Sequence, residues 1–309
     1  MADYTIHETN SNIKVSKENT SFRITIINCI DEYFQSVDFT INGVMADKDG
    51  TLLGQSSWIE DMNNSVIRLA NEHTNYLQQH KIKKLQAVRH LSELKDFTLD
   101  PALIGDIRND PDLTGVLPRL IADEINLILT GENVRNALTV LQETSLLKNI
   151  FPQLDACVGI TQNQYHTKDV FNHIIDVVCN TEATLPLRLA ALFHDICKPE
   201  CKVVSDGKIQ FTDHDSRSAA VCRKLLTFYE YDPSVIDKVT LLIKYHMKKK
   251  KMDDAQLLAM IGECTPGILE DIFKLQFADN AATLVTNREG MYYNQKRVQE
   301  LLSHINIFA

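Results

Sequence analysis

The sequence predicts a mainly α-helical protein with a small residual α/β segment at its N-terminus. Three observations predict it. Apolar residues recur at helical spacing over most of the chain beyond residue 65. Strand-like alternation is confined to the residues before that point. With 309 residues, 44% hydrophobic and 24% charged, the chain has the make-up of a globular protein with a sizeable core.

The elements follow in order. Phe22, Ile24 and Ile26 alternate and mark 22–27 as β-rich, and Asp47-Lys48-Asp49-Gly50 reads as a tight turn between short strands. From Val66 the reading is helical, with helices expected over 66–93, 101–107, 118–129 and 134–147 and connections over 94–100 and 130–133. Thr130 and Glu132 flank a glycine, a stop and a restart. Val170, His173, Ile174 and Val177 share one helical face, and a further helical run carries Ala219, Ala220, Val221, Leu225 and Leu226. Val235, Val239, Leu242, Ile243 and His246 form another stripe, as do Ile268, Ile272, Leu275, Asp279 and Ala282. Residues 292–309 make an amphipathic helix (Val298, Leu301, Leu302, Ile305) expected to close the core, with a dimer contact as the alternative. No repeat or low-complexity stretch appears.

Bulk charge narrows the function classes. A net charge of −9 provides no global basic field for coating long polyanions, although a local basic face can still hold RNA. No apolar run reaches the roughly 18 residues of a membrane span, and the first residues are not a signal peptide. The seven cysteines contain no Cys-x-x-Cys pair and read as reduced thiols, which sets the expected location as cytoplasmic.

The residues that carry chemistry begin with His194-Asp195, at the end of the apolar run Leu189-Ala190-Ala191-Leu192-Phe193 and just before Ile196-Cys197-Lys198-Pro199. Burying two ionisable side chains is costly unless something satisfies them, and a divalent metal does so. His173, His246 and Asp279 lie on apolar helical faces, and His214 opens a helical run, so all four are further ligand candidates.

The order His173, His194-Asp195, Asp279 resembles the HD phosphohydrolase superfamily over about residues 161–285. That resemblance implies an all-α HD domain holding one or two divalent ions (Ni²⁺, Mn²⁺, Co²⁺ or Mg²⁺). His214 and His246 match its second-metal or phosphate positions, and Lys198 matches the lysine of its His-Asp-x-x-Lys-Pro version. Asp195, Lys198, His214 and His246 are then the catalytic candidates, and Lys198, His166, Asn163 and Arg217 the substrate-binding ones. Cys197 stands where that family usually has glycine.

A second resemblance lies upstream. Asp38-Phe39-Thr40-Ile41-Asn42-Gly43-Val44 is similar to the Arg-Arg-Asp-Phe-Thr-Ile-Asn-Ala segment of CCA-adding enzymes and bacterial poly(A) polymerases. Trp58-Ile59-Glu60-Asp61-Met62, Ile67-Arg68, Leu85-Gln86-Ala87-Val88-Arg89 and Phe151-Pro152-Gln153-Leu154 continue it, so it covers roughly residues 36–285. The implied organisation is a vestigial nucleotidyltransferase head (1–65), a helical neck (66–160) and an HD domain (161–309).

The departures from that family shape the functional expectation. The first glycine is Gly43, so no glycine-rich phosphate loop precedes it, and no Asp-x-Asp precedes Asp38. The family's templating Glu-Asp-x-x-Arg appears as Gln79-His80-Lys81-Ile82-Lys83, and lysine lacks arginine's planar fork. Lys81, Lys83, Lys84 and Arg89 are candidates for phosphate contact. The leading expectation is therefore a metal-dependent phosphodiesterase or phosphatase on nucleotides or RNA 3′ ends, tRNA among them, without nucleotidyltransferase activity of its own. The alternatives are a binding subunit of a split CCA-adding enzyme and a nucleotide-sequestering protein. Oligomeric state is open.

Overall fold

The computed structural model describes residues 5–9, 12–17, 20–25, 29–70, 75–285 and 287–307. Only the backbone is described for the strands before residue 29 and for residues 31, 32 and 305–307. The chain divides into two compact units, Met1–Tyr76 and Leu77–Ala309.

In the first unit, strands Thr5–Thr9, Asn12–Lys17 and Thr20–Thr25 form an antiparallel meander, with Thr5 opposite Ser16 and Lys17 opposite Thr20. The expected β segment at 22–27 falls partly there, and Ile26 and Ile27 lie outside the described residues. The Asp47–Gly50 turn joins strands Met45–Ala46 and Leu52–Leu53 as expected. The Asp47 carboxylate accepts from the Asp49 and Thr51 backbone nitrogens at 2.9 and 2.8 Å, so its role is turn chemistry. Asp38–Val44 is tied to 68–70: Thr40 N donates to Arg68 O, and Ala70 N to Asp38 O, both at 2.9 Å.

Phe39, Trp58 and Ile67 are buried in this unit. Trp58 explains a sequence departure. A Cβ on Gly43 would overlap the Trp58 ring, which itself meets Phe34 edge-on at 5.2 Å. Where the similar families carry alanine, the indole demands glycine. Gly43→Ala is expected to destabilise this unit by about 1–3 kcal/mol, the usual cost of overpacking. Trp58 is the chain's single tryptophan, so its fluorescence during denaturation reads the effect directly. An unchanged midpoint would contradict the packing.

The second unit is helical apart from short strands. Seven of the chain's eight prolines open a helix in its first turn: Pro101, Pro118, Pro152, Pro186, Pro199, Pro233 and Pro266. There the missing N–H costs nothing and the fixed φ favours the helix. Asp100, Asp169, Asp232 and Asp253 cap four of the helices through their side chains.

Two helix expectations are corrected. The 66–93 segment is not one helix: Val66–Ile67 is a short strand, Asn75 takes a left-handed φ of 77°, and helices Tyr76–Gln79 and Lys83–Glu93 follow. The 134–147 helix stops at Glu143, where Thr144 Oγ1 donates to Val140 O at 2.6 Å and Ser145 adopts φ 61° before Leu146–Ile150 begins. The β-structure is also not confined to the N-terminus. Lys202–Ser205 and Lys208–Phe211 form a hairpin beside the candidate site. Its turn carries Asp206 and Gly207 at φ 51° and 72°, the mark of a two-residue hairpin turn, and that dipeptide was the available sequence signal.

Lys83–Glu93 packs on Pro118–Thr130 and Val134–Glu143. Further on, Leu185–Phe193 lies at the centre, against Val170–Asn180, Pro233–Tyr245 and Pro266–Ala281, and every residue from Leu187 to Phe193 is buried. The two halves interlock. Leu185–Phe193 touches Pro118–Thr130, Tyr229 Oη donates to Ile150 O at 2.7 Å, Arg135 pairs with Asp176 at 2.7 Å, and the Phe151 and Phe193 rings meet edge-on. Glu289–Ile307 packs on Asp254–Glu263 and Pro266–Ala281 through Met291, Asn294 and Val298, closing the core as expected; Phe308 and Ala309 lie outside the described residues.

Candidate metal centre

Helix ends converge on one buried cluster. His194 and His246 each follow the last residue of their helices, Leu185–Phe193 and Pro233–Tyr245. His214 opens His214–Phe228 just after the hairpin, His173 sits on Val170–Asn180, and Asp279 on Pro266–Ala281.

The local backbone orients the imidazoles. Nδ1 of His194, His246 and His214 lies 2.7, 2.7 and 2.8 Å from the carbonyl oxygen three residues earlier, Ala191, Ile243 and Phe211 respectively. His173 Nδ1 faces Ala282 O at 3.4 Å. An Nδ1–H donated to a carbonyl leaves the Nε2 lone pair free, the tautomer a metal ligand needs. All four Nε2 atoms are buried without a hydrogen-bond partner, and so is Asp195 Oδ1.

The carboxylates complete the set. Asp195 Oδ2 lies 3.0 Å from His194 Nε2 and 3.5 Å from His173 Nε2, while its Oδ1 lies 3.2 Å from His214 Nε2 and 3.7 Å from His246 Nε2. Asp279 Oδ1 is 3.1 Å from His173 Nε2. Burial pushes both carboxyls up, but the charges around them win: His194 and Lys198 hold Asp195 well below the usual carboxylate range, and Lys249 with His173 does so for Asp279. Burial pushes His246 down. At His214 burial also acts downward, but the Asp195 carboxylate outweighs it and raises the imidazole.

Orphaned Nε2 atoms, ionised carboxylates and ligand atoms within 4.8 Å of one another fit a divalent cation. Two overlapping sets that share His194, namely His173 with Asp279 and Asp195 with His246, are each capable of coordinating one.

The other candidates divide. Lys198 lies inside, its Nζ 2.6 Å from Asp195 Oδ2 and 2.7 Å from Gln162 Oε1. The His166 ring stands edge-on to His173 at 4.6 Å, its Nδ1 buried and unpartnered, and burial followed by the Lys198 charge lowers its pKa to about 3. Asn163 spends its Oδ1 on the Tyr165 backbone nitrogen. Arg217 reaches Cys201 Sγ at 3.6 Å and Glu200 at 3.6 Å rather than the cluster. Sequence reasoning passed over Gln162, and it read the run from Lys248 to Lys251 as a block. In the structure Lys249 alone turns inward, to pair with Asp279.

Three of the cations proposed for phosphate contact are committed elsewhere. Lys81 pairs with Asp112 at 2.5 Å, Lys84 with Asp110 at 2.9 Å, and Arg89 with Glu124 at 3.5 Å.

Comparison with known proteins places the chain. Residues 96–158 match the family described as the probable RNA and SrmB-binding site of polymerase A. The A-adding tRNA nucleotidyltransferase of Deinococcus radiodurans is 27% identical over 258 residues, 79% of this chain and 58% of that one. The CC-adding tRNA nucleotidyltransferase of Thermus thermophilus is 26% identical over 266 residues, 82% and 60%. The Bacillus stearothermophilus CCA-adding enzyme, solved with CTP, superposes with TM-score 0.62 over 95% of this chain and 67% of its own, at 16% identity.

The chain is similar in sequence to the A-adding and CC-adding tRNA nucleotidyltransferases over about four-fifths of its length, and it shares the fold of a CCA-adding enzyme. This corrects the expectation of a truncated head joined to an HD module. One fold likeness runs through both, and the 77–309 helices interlock across residue 160. It also overturns the expectation of a metal-dependent phosphodiesterase or phosphatase without nucleotidyltransferase activity, because the sequence relatives are A-adding and CC-adding proteins. The chain spans about three-fifths of the length of these two relatives.

Proposed function

We propose that this protein works in nucleotide addition at tRNA 3′ ends, as the tRNA-holding subunit of a split CCA-adding enzyme. The observation that carries the reading is the similarity to A-adding and CC-adding tRNA nucleotidyltransferases across about four-fifths of the chain. The RNA-binding family match over 96–158 supports it. Among these residues no glycine precedes Gly43 and no Asp-x-Asp precedes Asp38, so in this reading the triphosphate loop and the paired carboxylates come from outside them.

The division into head (1–65), neck (66–160) and metal-binding helical body (161–309) belongs to this proposal, as does a cytoplasmic location. All seven cysteines are free, and among the described residues no helix is long and apolar enough to cross a membrane. In the body, His173, His194, Asp195, His214, His246 and Asp279 hold the divalent ion, which supplies concentrated positive charge for a phosphate oxygen. Lys198 anchors Asp195, and His166 borders the centre.

Two measurements test the reading. Gel-shift titration should show tRNA binding tighter than binding to an unstructured RNA of equal length at the same salt concentration. Labelled CMP and AMP should enter transcripts lacking CCA when the chain is mixed with a nucleotidyltransferase fragment bearing the glycine-rich loop. Equal affinity for both RNAs, with no incorporation, overturns it.

A further inference from the structure

Both carboxylates of the cluster are already paired with a lysine. Asp195 and Asp279 contribute two negative charges, and each is paired with an ammonium group, Lys198 and Lys249 respectively. The four histidines turn Nε2 inward through their Nδ1 contacts, and an imidazole that coordinates a metal through Nε2 brings no charge of its own. A divalent ion entering this buried site therefore leaves two positive charges uncompensated, and uncompensated buried charge is costly.

Lys249 is held there by construction. Four consecutive lysines ordinarily make a solvated stretch, yet this loop is clamped. The fully buried Asn294 donates to Lys250 O at 2.8 Å and Lys248 O at 3.3 Å, and accepts from Met252 N at 2.9 Å. Gln276 Nε2, also buried, donates to Tyr245 O at 2.9 Å and Lys248 O at 3.3 Å. Gly290 lets the last helix approach: a Cβ there would stand 2.8 Å from Lys251 N and closer still to Lys249 O. Lys251 lies over the Tyr293 ring at 4.1 Å. Two buried amides and a glycine thus fix the backbone that aims Lys249 at Asp279. The Lys249 side chain keeps 23% of its surface exposed, against 5% for Asp279, so it marks the solvent side of the centre.

We propose that Lys249 makes divalent-metal binding at this centre conditional on an oxyanion of the phosphate class. With Lys249 in place, the metal is held weakly until an anion enters beside the ammonium and restores neutrality. The inference depends on the metal cluster alone and stands whether or not the protein handles tRNA.

Titration calorimetry with Mn²⁺ on the full chain, with and without inorganic phosphate, tests it. Phosphate should raise the wild-type Mn²⁺ affinity about tenfold, within the ordinary range of coupling between two sites. Lys249→Met should bind Mn²⁺ about tenfold or more tightly without phosphate, since a cation close to the metal is gone, and should lose most of the phosphate effect. Lys249→Arg keeps the charge and should behave as wild type, which separates charge from a packing defect. Mn²⁺ affinity in phosphate-free buffer that is the same for Lys249→Met and wild type overturns the proposal. So does a phosphate effect of equal size in both.

Discussion

Asp195→Ala is expected to weaken divalent-metal binding about 100-fold or more and to destabilise the protein at the same time. Asp195 is the one side chain that faces every imidazole of the cluster, His173 and His194 through Oδ2 and His214 and His246 through Oδ1. Outer-shell partners of metal ligands typically cost 10–100-fold in affinity, so losing this central ligand should cost about 100-fold or more. The stability loss has a separate cause. Lys198 is buried, and without Asp195 its ammonium keeps Gln162 Oε1 and the face of the Phe211 ring, 5.2 Å away, but no carboxylate. Breaking a buried pair by removing one partner costs about 3–5 kcal/mol. The double variant Asp195→Ala/Lys198→Met should therefore recover much of the stability and none of the metal. Metal content by elemental analysis and denaturation midpoints separate the two effects. Wild-type metal stoichiometry in Asp195→Ala would show that the ligand set is wrong. A double variant no more stable than the single one would show that the Lys198 charge was not the cost.

The metal cluster was legible in the sequence, and its surroundings were not, for one physical reason. Histidine and aspartate on apolar helical faces announce themselves, because burial of such groups requires a partner. Gln162, Lys249 and Asn294 carry no such mark. Each is a common polar residue whose role appears only when remote helices bring it to Lys198, Asp279 or the lysine loop. Lys81 and Lys84 make the converse point: read as exposed phosphate contacts, they are committed to Asp112 and Asp110 by a loop some thirty residues downstream. Helices Pro101–Asn109 and Pro118–Thr130, which begin with proline, were read within two residues of their bounds, whereas Asp254–Glu263, capped by Asp253, was not read at all. The 66–93 segment failed because left-handed residues and backbone pairing at 68–70 override its apolar content. Function was misread at a different level. A donor set shows that a cation can bind, but it does not name a reaction, and sequence similarity over about four-fifths of the chain outweighs it.

In the 96–158 segment matched to RNA binding, Asp110→Ala is expected to be more damaging than Lys84→Met, although both remove the same ion pair. The Lys84 side chain is 0% exposed, whereas Asp110 keeps 28% of its surface. Removing Asp110 strands a buried ammonium on the Asp112 carbonyl oxygen, 3.0 Å away, and the cost should approach the roughly 3–5 kcal/mol of an uncompensated buried charge. Lys84→Met removes that charge with an apolar chain of similar length, and the Asp110 carboxylate can return to water; roughly 1–2 kcal/mol should be lost with the hydrogen bonds. The difference bears on function because Lys84 and Lys81 together tie the 110–114 loop to the Lys83–Glu93 helix. If this stretch holds RNA as proposed, Asp110→Ala should weaken tRNA binding more than Lys84→Met does, in step with the loosened loop. Urea denaturation with gel-shift titration on the same two proteins decides it. Equal destabilisation, or the reverse order, would mean that the Lys84 ammonium finds solvent without Asp110 and that the loop is not held by this pair.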